Sequence, residues 1–166
     1  MSAPDDAALV VLAVRVGEQL LRRGLRVVTA ESCTGGLVAK LLTDVSGSSN
    51  WFECGYVTYS NEAKQRDLAV ATETLRKYGA VSEQTAMQMA VGALSRTGAD
   101  LALAVTGVAG PDGGTRSHPV GGVWFALATG TAEGPEIQSV LHQLTGDRDA
   151  IRRQSAAIAL ALLMDP

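Results

Sequence analysis

The sequence predicts an α/β protein, a three-layer α/β/α sandwich built on a mixed sheet of about five strands. Three observations predict it. Segments with apolar residues at helical spacing alternate with short β-rich runs along the first part of the chain. The run Leu101-Ala102-Leu103-Ala104-Val105-Thr106 is continuously apolar, as a strand covered on both faces must be. Two more strand patterns follow it before a closing helix, so strands succeed one another there and the sheet is mixed.

The first helix is expected from about Ala7 to Arg23, with Val10, Val14, Gly17 and Leu21 along one face and Gly24 as its C-terminal glycine. The stretch Arg26 to Lys40 is β-rich and apolar in its first part, tight, polar and glycine-bearing in the middle, and at helical spacing in its last part through Leu41 and Leu42, so it reads as strand, sharp turn and a helix running to about Val45. Ser46 to Asn50 reads as a loop, with Trp51 and Phe52 after it as core anchors. Gly55 to Tyr59 is a strand whose exit, Ser60 to Lys64, enters a helix. Thr72 is expected to cap a short helix ending at Gly79. Ser82 is expected to cap a longer one that buries Ala86, Met89, Ala90 and Ala93. Val123 to Ala128 is a buried strand and Glu136 to Leu144 an edge strand. Gly146-Asp147-Arg148-Asp149 leads into a last helix with Ile151, Ser155, Ile158 and Leu162 on one side.

Bulk properties narrow the function. At 166 residues, with 46% hydrophobic and 19% charged residues, residues 1–166 are expected to form one globular domain with a real core. The formal net charge is −3 and no basic run stands out, which argues against direct nucleic-acid binding. No apolar run has the length of a membrane span, and the start Met1-Ser2-Ala3-Pro4-Asp5-Asp6 lacks a basic signal segment, so a cytoplasmic location is expected. Two cysteines, Cys33 and Cys54, and two histidines, His118 and His142, show no zinc spacing; no metal and no cofactor is implied. The apolar helix faces leave room for a homo-oligomer, and burial in the core explains them equally well.

The chemistry concentrates in the stretch Ala30-Glu31-Ser32-Cys33-Thr34-Gly35-Gly36. A strand–turn–helix reading puts Ser32 at or just before the helix start, with the glycines in its first turn. Unpaired N–H groups and the helix dipole would favour negative charge there. A serine in this position is more often only a cap. A hydroxyl also needs a base, and Lys64 is the candidate, because a lysine shielded from water can lose its charge near neutral pH. Tyr59, at the end of the preceding strand, could pass a proton or orient the amine, and His118 stays open as a base. Taken singly, Lys64 reads as a solvated helix lysine and Tyr59 as a packed strand tyrosine. Cys33 is the rival nucleophile. The glycine-dense segment after Thr106, Gly107 to Thr115, is either a long turn needing positive φ or a nest of N–H groups for a phosphate or carboxylate. Arg148 is either a phosphate partner or a surface charge.

Together with Tyr56-Val57-Thr58-Tyr59-Ser60-Asn61-Glu62-Ala63-Lys64, Gly79 to Glu83, Thr106 to Gly114, Pro119-Val120-Gly121, Val123-Trp124-Phe125 and Gly146-Asp147-Arg148, the Ala30–Gly36 stretch resembles the C-terminal domain family of the competence/damage-inducible protein CinA. Gly122 and His118 depart from the family pattern, where threonine and lysine are expected. The resemblance implies an amidohydrolase acting on a nucleotide substrate, nicotinamide mononucleotide, without a metal. It places a serine nucleophile, tyrosine and lysine on Ser32, Tyr59 and Lys64. Backbone groups at Cys33 and Thr34, with Gly35 and Gly36, are expected to hold the oxyanion. Thr106, Gly107, Gly110, Gly113, Gly114 and Arg148 are expected to hold the rest of the substrate. Two alternatives stand beside this: a competence- or damage-linked protein-binding module, and an amidase for another small carboxamide.

Overall fold

Alternation along the strands sorts the sheet into a bulky face and a small-residue face. Val27, Leu101, Leu103, Val105, Val123, Phe125 and Leu127 point one way; Val28, Ala30, Ala102, Ala104, Ala126 and Ala128 point the other. The computed structural model describes residues 3–164. Met1 and Ser2, the start of the non-basic N-terminus noted above, lie outside the described residues. The elements are α1 (Asp6–Arg23), β1 (Val27–Glu31), α2 (Leu37–Thr43), a 3-10 turn (Ser48–Asn50), β2 (Phe52–Val57), α3 (Asn61–Leu68), α4 (Thr72–Tyr78), α5 (Glu83–Thr97), β3 (Leu101–Gly107), β4 (Gly122–Thr129), β5 (Glu136–Gln143) and α6 (Arg148–Leu162).

Helices α1, α2 and α6 cover the bulky face, and α3, α4 and α5 cover the small-residue face. The expected α/β/α layering and five-stranded mixed sheet are both present. The strand order is β2-β1-β3-β4-β5. β1 is parallel to β2 and to β3, while β4 is antiparallel to β3 and to β5. Strands β1, β2, β3 and β5 therefore run the same way, and the loops that follow them emerge at one edge of the sheet. In open α/β sheets that edge is where ligands bind.

Several boundaries differ from the sequence expectation. The packing face of α1 is rotated: Leu9, Ala13, Val16, Gly17 and Leu20 are buried, whereas Val10, Val14 and Leu21 are exposed. Gly17 lies where it does because Trp51 packs against it; an added Cβ would come within 2.7 Å of the indole. Pairing with β1 starts β2 at Phe52, ahead of Gly55, and the strand ends at Val57. Ala71, not Thr72, holds the N-cap position of α4, and the Thr72 hydroxyl instead accepts from Gln65 Nε2 at 3.1 Å. Ser82 caps α5 as expected, its Oγ accepting from the Thr85 N–H. Gly24 ends α1 in the left-handed conformation.

Candidate active site

The segment after β1 is not built as a capped helix start. Ser32 still belongs to the sheet edge, its N–H donating to Val105 O at 2.9 Å. A turn follows in which Gly35 N–H donates to Ser32 O and Leu37 N–H to Thr34 O. Gly35 and Gly36 take φ values of 59° and 91°, left-handed conformations that favour glycine, and both precede α2 instead of lying in its first turn. The N-cap of α2 is Gly36, which has no side chain to cap with. Glu31 supplies the cap from below. One carboxylate oxygen accepts from Gly36 and Val38 N–H at 3.0 and 3.1 Å, and the other from Ala39 N–H at 2.8 Å. The expectation that the amino end of this helix stands open to a ligand is thereby corrected, because a buried carboxylate already occupies it.

Lys64 comes from the first turns of α3, whose start is fixed by Ser60 Oγ accepting from Ala63 N–H. The helix sequence is very polar, yet Lys64 and Leu68, one turn apart, form its buried stripe. Lys64 is fully buried. Its Nζ lies 3.0 Å from Ser32 Oγ, 2.6 Å from Thr58 O and 3.2 Å from Tyr59 O. Burial lowers the amine from 10.5 to about 8, against a smaller raising effect of Cys33. The amino-terminal end of α3 is also an unfavourable place for a cation.

This arrangement has a chemical consequence. A neutral amine has two N–H bonds and one lone pair. With the two N–H groups on the carbonyls of Thr58 and Tyr59, the lone pair faces the Ser32 hydroxyl and can accept its proton. The amine thus meets the main chain of Tyr59 and not its phenol, in contrast to the expected phenol assistance. That phenol is well exposed and sits 3.4 Å from Arg148 Nη2. Arg148 also donates through Nη1 to Gly110 O at 2.7 Å, tying the start of α6 to the glycine-rich loop.

These residues line one cleft of about 260 Å³, together with Thr106, Gly107, Gly113, Asp112 and an apolar wall of Ala80, Val81 and Val108. Thr106 Oγ1 donates to Ala80 O at 2.7 Å, so its hydroxyl is committed to that wall. Part of the cleft wall is formed by the loop after β3, where the Ala109, Gly110, Asp112 and Gly113 N–H groups have no acceptor among the described residues. Gly35, Gly36, Thr34 and Gly114 do not line the cleft; Gly114 packs on Val120, and Thr34 is buried with its carbonyl accepting from Arg152 Nη2 at 2.9 Å. His118 hydrogen-bonds to Thr115 and Ser117, away from Ser32. Cys33 lines the cleft beside Ser32, but burial pushes its thiol up to about 11, far from the thiolate that a nucleophile needs. Among the described residues no group of three or more His, Cys, Asp and Glu could hold a metal, and no helix is long and apolar enough to cross a membrane. A larger depression of about 510 Å³ between α3 and α5, walled by Leu68, Met87, Val91 and Ile137, includes Ser95 but no lysine, histidine or carboxylate to act on it.

Sequence reasoning missed Glu31, Arg152, Asp112 and the Ala80–Val81 wall. Glu31 carried a signal: an acidic residue ends a wholly buried strand, immediately ahead of a helix whose cap position is glycine. Arg152 carried none, since its contact depends on how α6 docks.

The model of the CinA C-terminal domain matches residues 10–166. The chain is 53% identical over 158 residues to nicotinamide-nucleotide amidohydrolase PncC of Escherichia coli strain K12, covering 95% of this chain and 94% of the relative. It is 54% identical over 153 residues to a putative competence-damage inducible protein of Symbiobacterium thermophilum, where the match spans 89% of this chain and 36% of that longer protein. The crystal structure of the competence/damage inducible protein CihA from Agrobacterium tumefaciens superposes with a TM-score of 0.89 at 45% identity, covering 99% of this chain and 98% of that one.

Proposed function

Because the chain belongs to the CinA C-terminal domain family, we propose that residues 1–166 act as a single cytoplasmic amidohydrolase domain. It converts the carboxamide of nicotinamide mononucleotide to the carboxylate, giving nicotinic acid mononucleotide and ammonia. The substrate follows the name of the Escherichia coli relative, a nicotinamide-nucleotide amidohydrolase, which matches nearly end to end. The mechanism rests on one observation, a buried amine 3.0 Å from a serine hydroxyl with both of its other partners main-chain carbonyls.

Neutral Lys64 takes the proton of Ser32 as Oγ attacks the carboxamide carbon. The resulting ammonium has three N–H groups for its three acceptors, so protonation leaves none unpaired. The Cys33 N–H, which has no acceptor among the described residues and belongs to a residue lining the cleft beside Ser32, receives the oxyanion; one such donor in a dry site contributes about 3–4 kcal/mol. Lys64 returns the proton to the leaving nitrogen, which departs as ammonia. Water then attacks the acyl-enzyme ester with Lys64 again accepting a proton, and Ser32 is regenerated with the carboxylate product. Tyr59 and Arg148 flank the substrate at the cleft mouth, and the phosphate rests on Arg148 and the free N–H groups at Gly110 and Gly113. Thr106 and Gly107 form the floor.

Ser32→Ala tests the reading. Ammonia release from nicotinamide mononucleotide should fall by at least about 1,000-fold while the nucleotide still binds. Release near the parent rate removes Ser32 as the nucleophile.

A further inference from the structure

The backbone donors between Ser32 and Lys40 can be accounted for completely. Ser32 N–H goes to Val105 O, Gly35 to Ser32 O, Leu37 to Thr34 O and Lys40 to Gly36 O. Gly36, Val38 and Ala39 go to the Glu31 carboxylate. Two remain, Cys33 and Thr34, the two residues that follow the serine, and of these Cys33 lines the cleft. The carboxylate is the reason that only these two are left. Without it α2 would begin with three more unpaired donors, since Gly36 has no capping side chain, and nothing would fix the turn relative to β1. Glu31 itself is 1% exposed, and both its oxygens are used.

The other end of the same turn is tethered across the molecule. Arg152, from α6, donates through Nη2 to Thr34 O at 2.9 Å, and none of the five ion pairs among the described residues involves it. Among the described residues its guanidinium makes one hydrogen bond, to the peptide that joins Thr34 to Gly35. A carbonyl held on one side of Thr34 and a carboxylate holding Gly36 leave the Cys33–Thr34 peptides little freedom to rotate. Donors aimed at a developing oxyanion act only if they are in place before the charge appears.

We propose that Glu31 and Arg152 are positioning residues for the reaction, a buried carboxylate and a guanidinium that clamp the Ser32–Gly36 turn so that the Cys33 N–H faces the cleft. This rests on the reading of Ser32 as nucleophile. Neither residue touches the cleft, so neither should affect how tightly the nucleotide binds. Cys33 reports the same carboxylate, whose charge opposes ionisation of the thiol.

The test compares Glu31→Gln, Arg152→Ala and Arg152→Lys with Ser32→Ala, each in the full chain, by ammonia release from nicotinamide mononucleotide and by thermal melting. In Glu31→Gln the amide nitrogen must face an N–H donor, on Ala39 or on Gly36 and Val38, so part of the clamp is lost without a change of shape. The expected result is a kcat at least fivefold below the parent with KM within threefold. Arg152→Ala should behave alike, and Arg152→Lys, which can still donate to Thr34 O, should recover part of the loss. A cooperatively melting Glu31→Gln protein with kcat less than fivefold reduced, or with the loss in KM instead, overturns the inference while leaving Ser32 in its role. If Glu31→Gln does not fold, the Arg152 pair decides by the same threshold. If Ser32→Ala keeps parent activity, the nucleophile reading has failed and the clamp falls with it, an outcome separable from the others.

Discussion

Glu31 and Lys64 are both buried charged residues beside one turn, and they are used in opposite ways. The carboxylate is saturated by three main-chain N–H groups of a single element, none of which can give up its proton at physiological pH. The amine has two main-chain carbonyls and, as its third partner, a hydroxyl that can ionise. A buried charge surrounded only by backbone fixes structure. One whose last partner is itself reactive is poised for proton transfer, and burial brings its pKa to about 8, near the operating range of a general base. Cys33 lies between the two and feels both: the Glu31 charge raises its thiol and the Lys64 charge lowers it, with burial outweighing either.

The largest effect should come from removing the reactive side of this contrast. Lys64→Met preserves the length and burial of the side chain but has no lone pair for a proton, so kcat should fall about 100- to 10,000-fold, measured by ammonia release. A loss of only a few fold would place Lys64 with Glu31, as structure.

A smaller and more diagnostic effect is expected with pH. The base must be neutral to act, and with a pKa of about 8 only about one site in ten is neutral at pH 7. The rate constant kcat/KM should therefore rise about tenfold per pH unit below 8 and level above it. The sign follows from the lowered amine: an ordinary lysine near 10.5 would still be rising at pH 9. A profile flat from pH 6 to 8.5 would show that no group of this kind controls the step.

The smallest effect belongs to the residue between the two charges. Cys33→Ala removes a thiol held at about 11 while keeping the backbone N–H, so kcat should drop by no more than about fivefold. A loss of three orders of magnitude, with Ser32→Ala still active, would move the nucleophile one residue along the chain.

Much of this was legible in the chain itself. The apolar run at Leu101–Thr106 became the doubly covered β3, Ser82 and Gly24 closed the helices they were expected to close, and the polar segment after β1 became a turn that carries Ser32 to the cleft. Ser32 and Lys64 could be picked by residue type, because few side chains can serve as nucleophile or as base. What local pattern could not supply was protonation and orientation. Lys64 sits in Asn61–Leu68, a sequence that reads as a solvated helix, and only its packing against the turn after β1 removes its water. The Tyr59 phenol faces Arg148 instead of the amine because β2 ends at Val57, two residues before it. The exposed valines of α1 have the same helical spacing as its buried residues one position away, so periodicity gave two faces and tertiary packing chose between them. Periods, caps and turns are properties of neighbours in sequence, and the chain by itself determined those. Burial, and with it the charge of an amine 32 residues from its partner, is a property of neighbours in space, and only the folded sheet edge decided it.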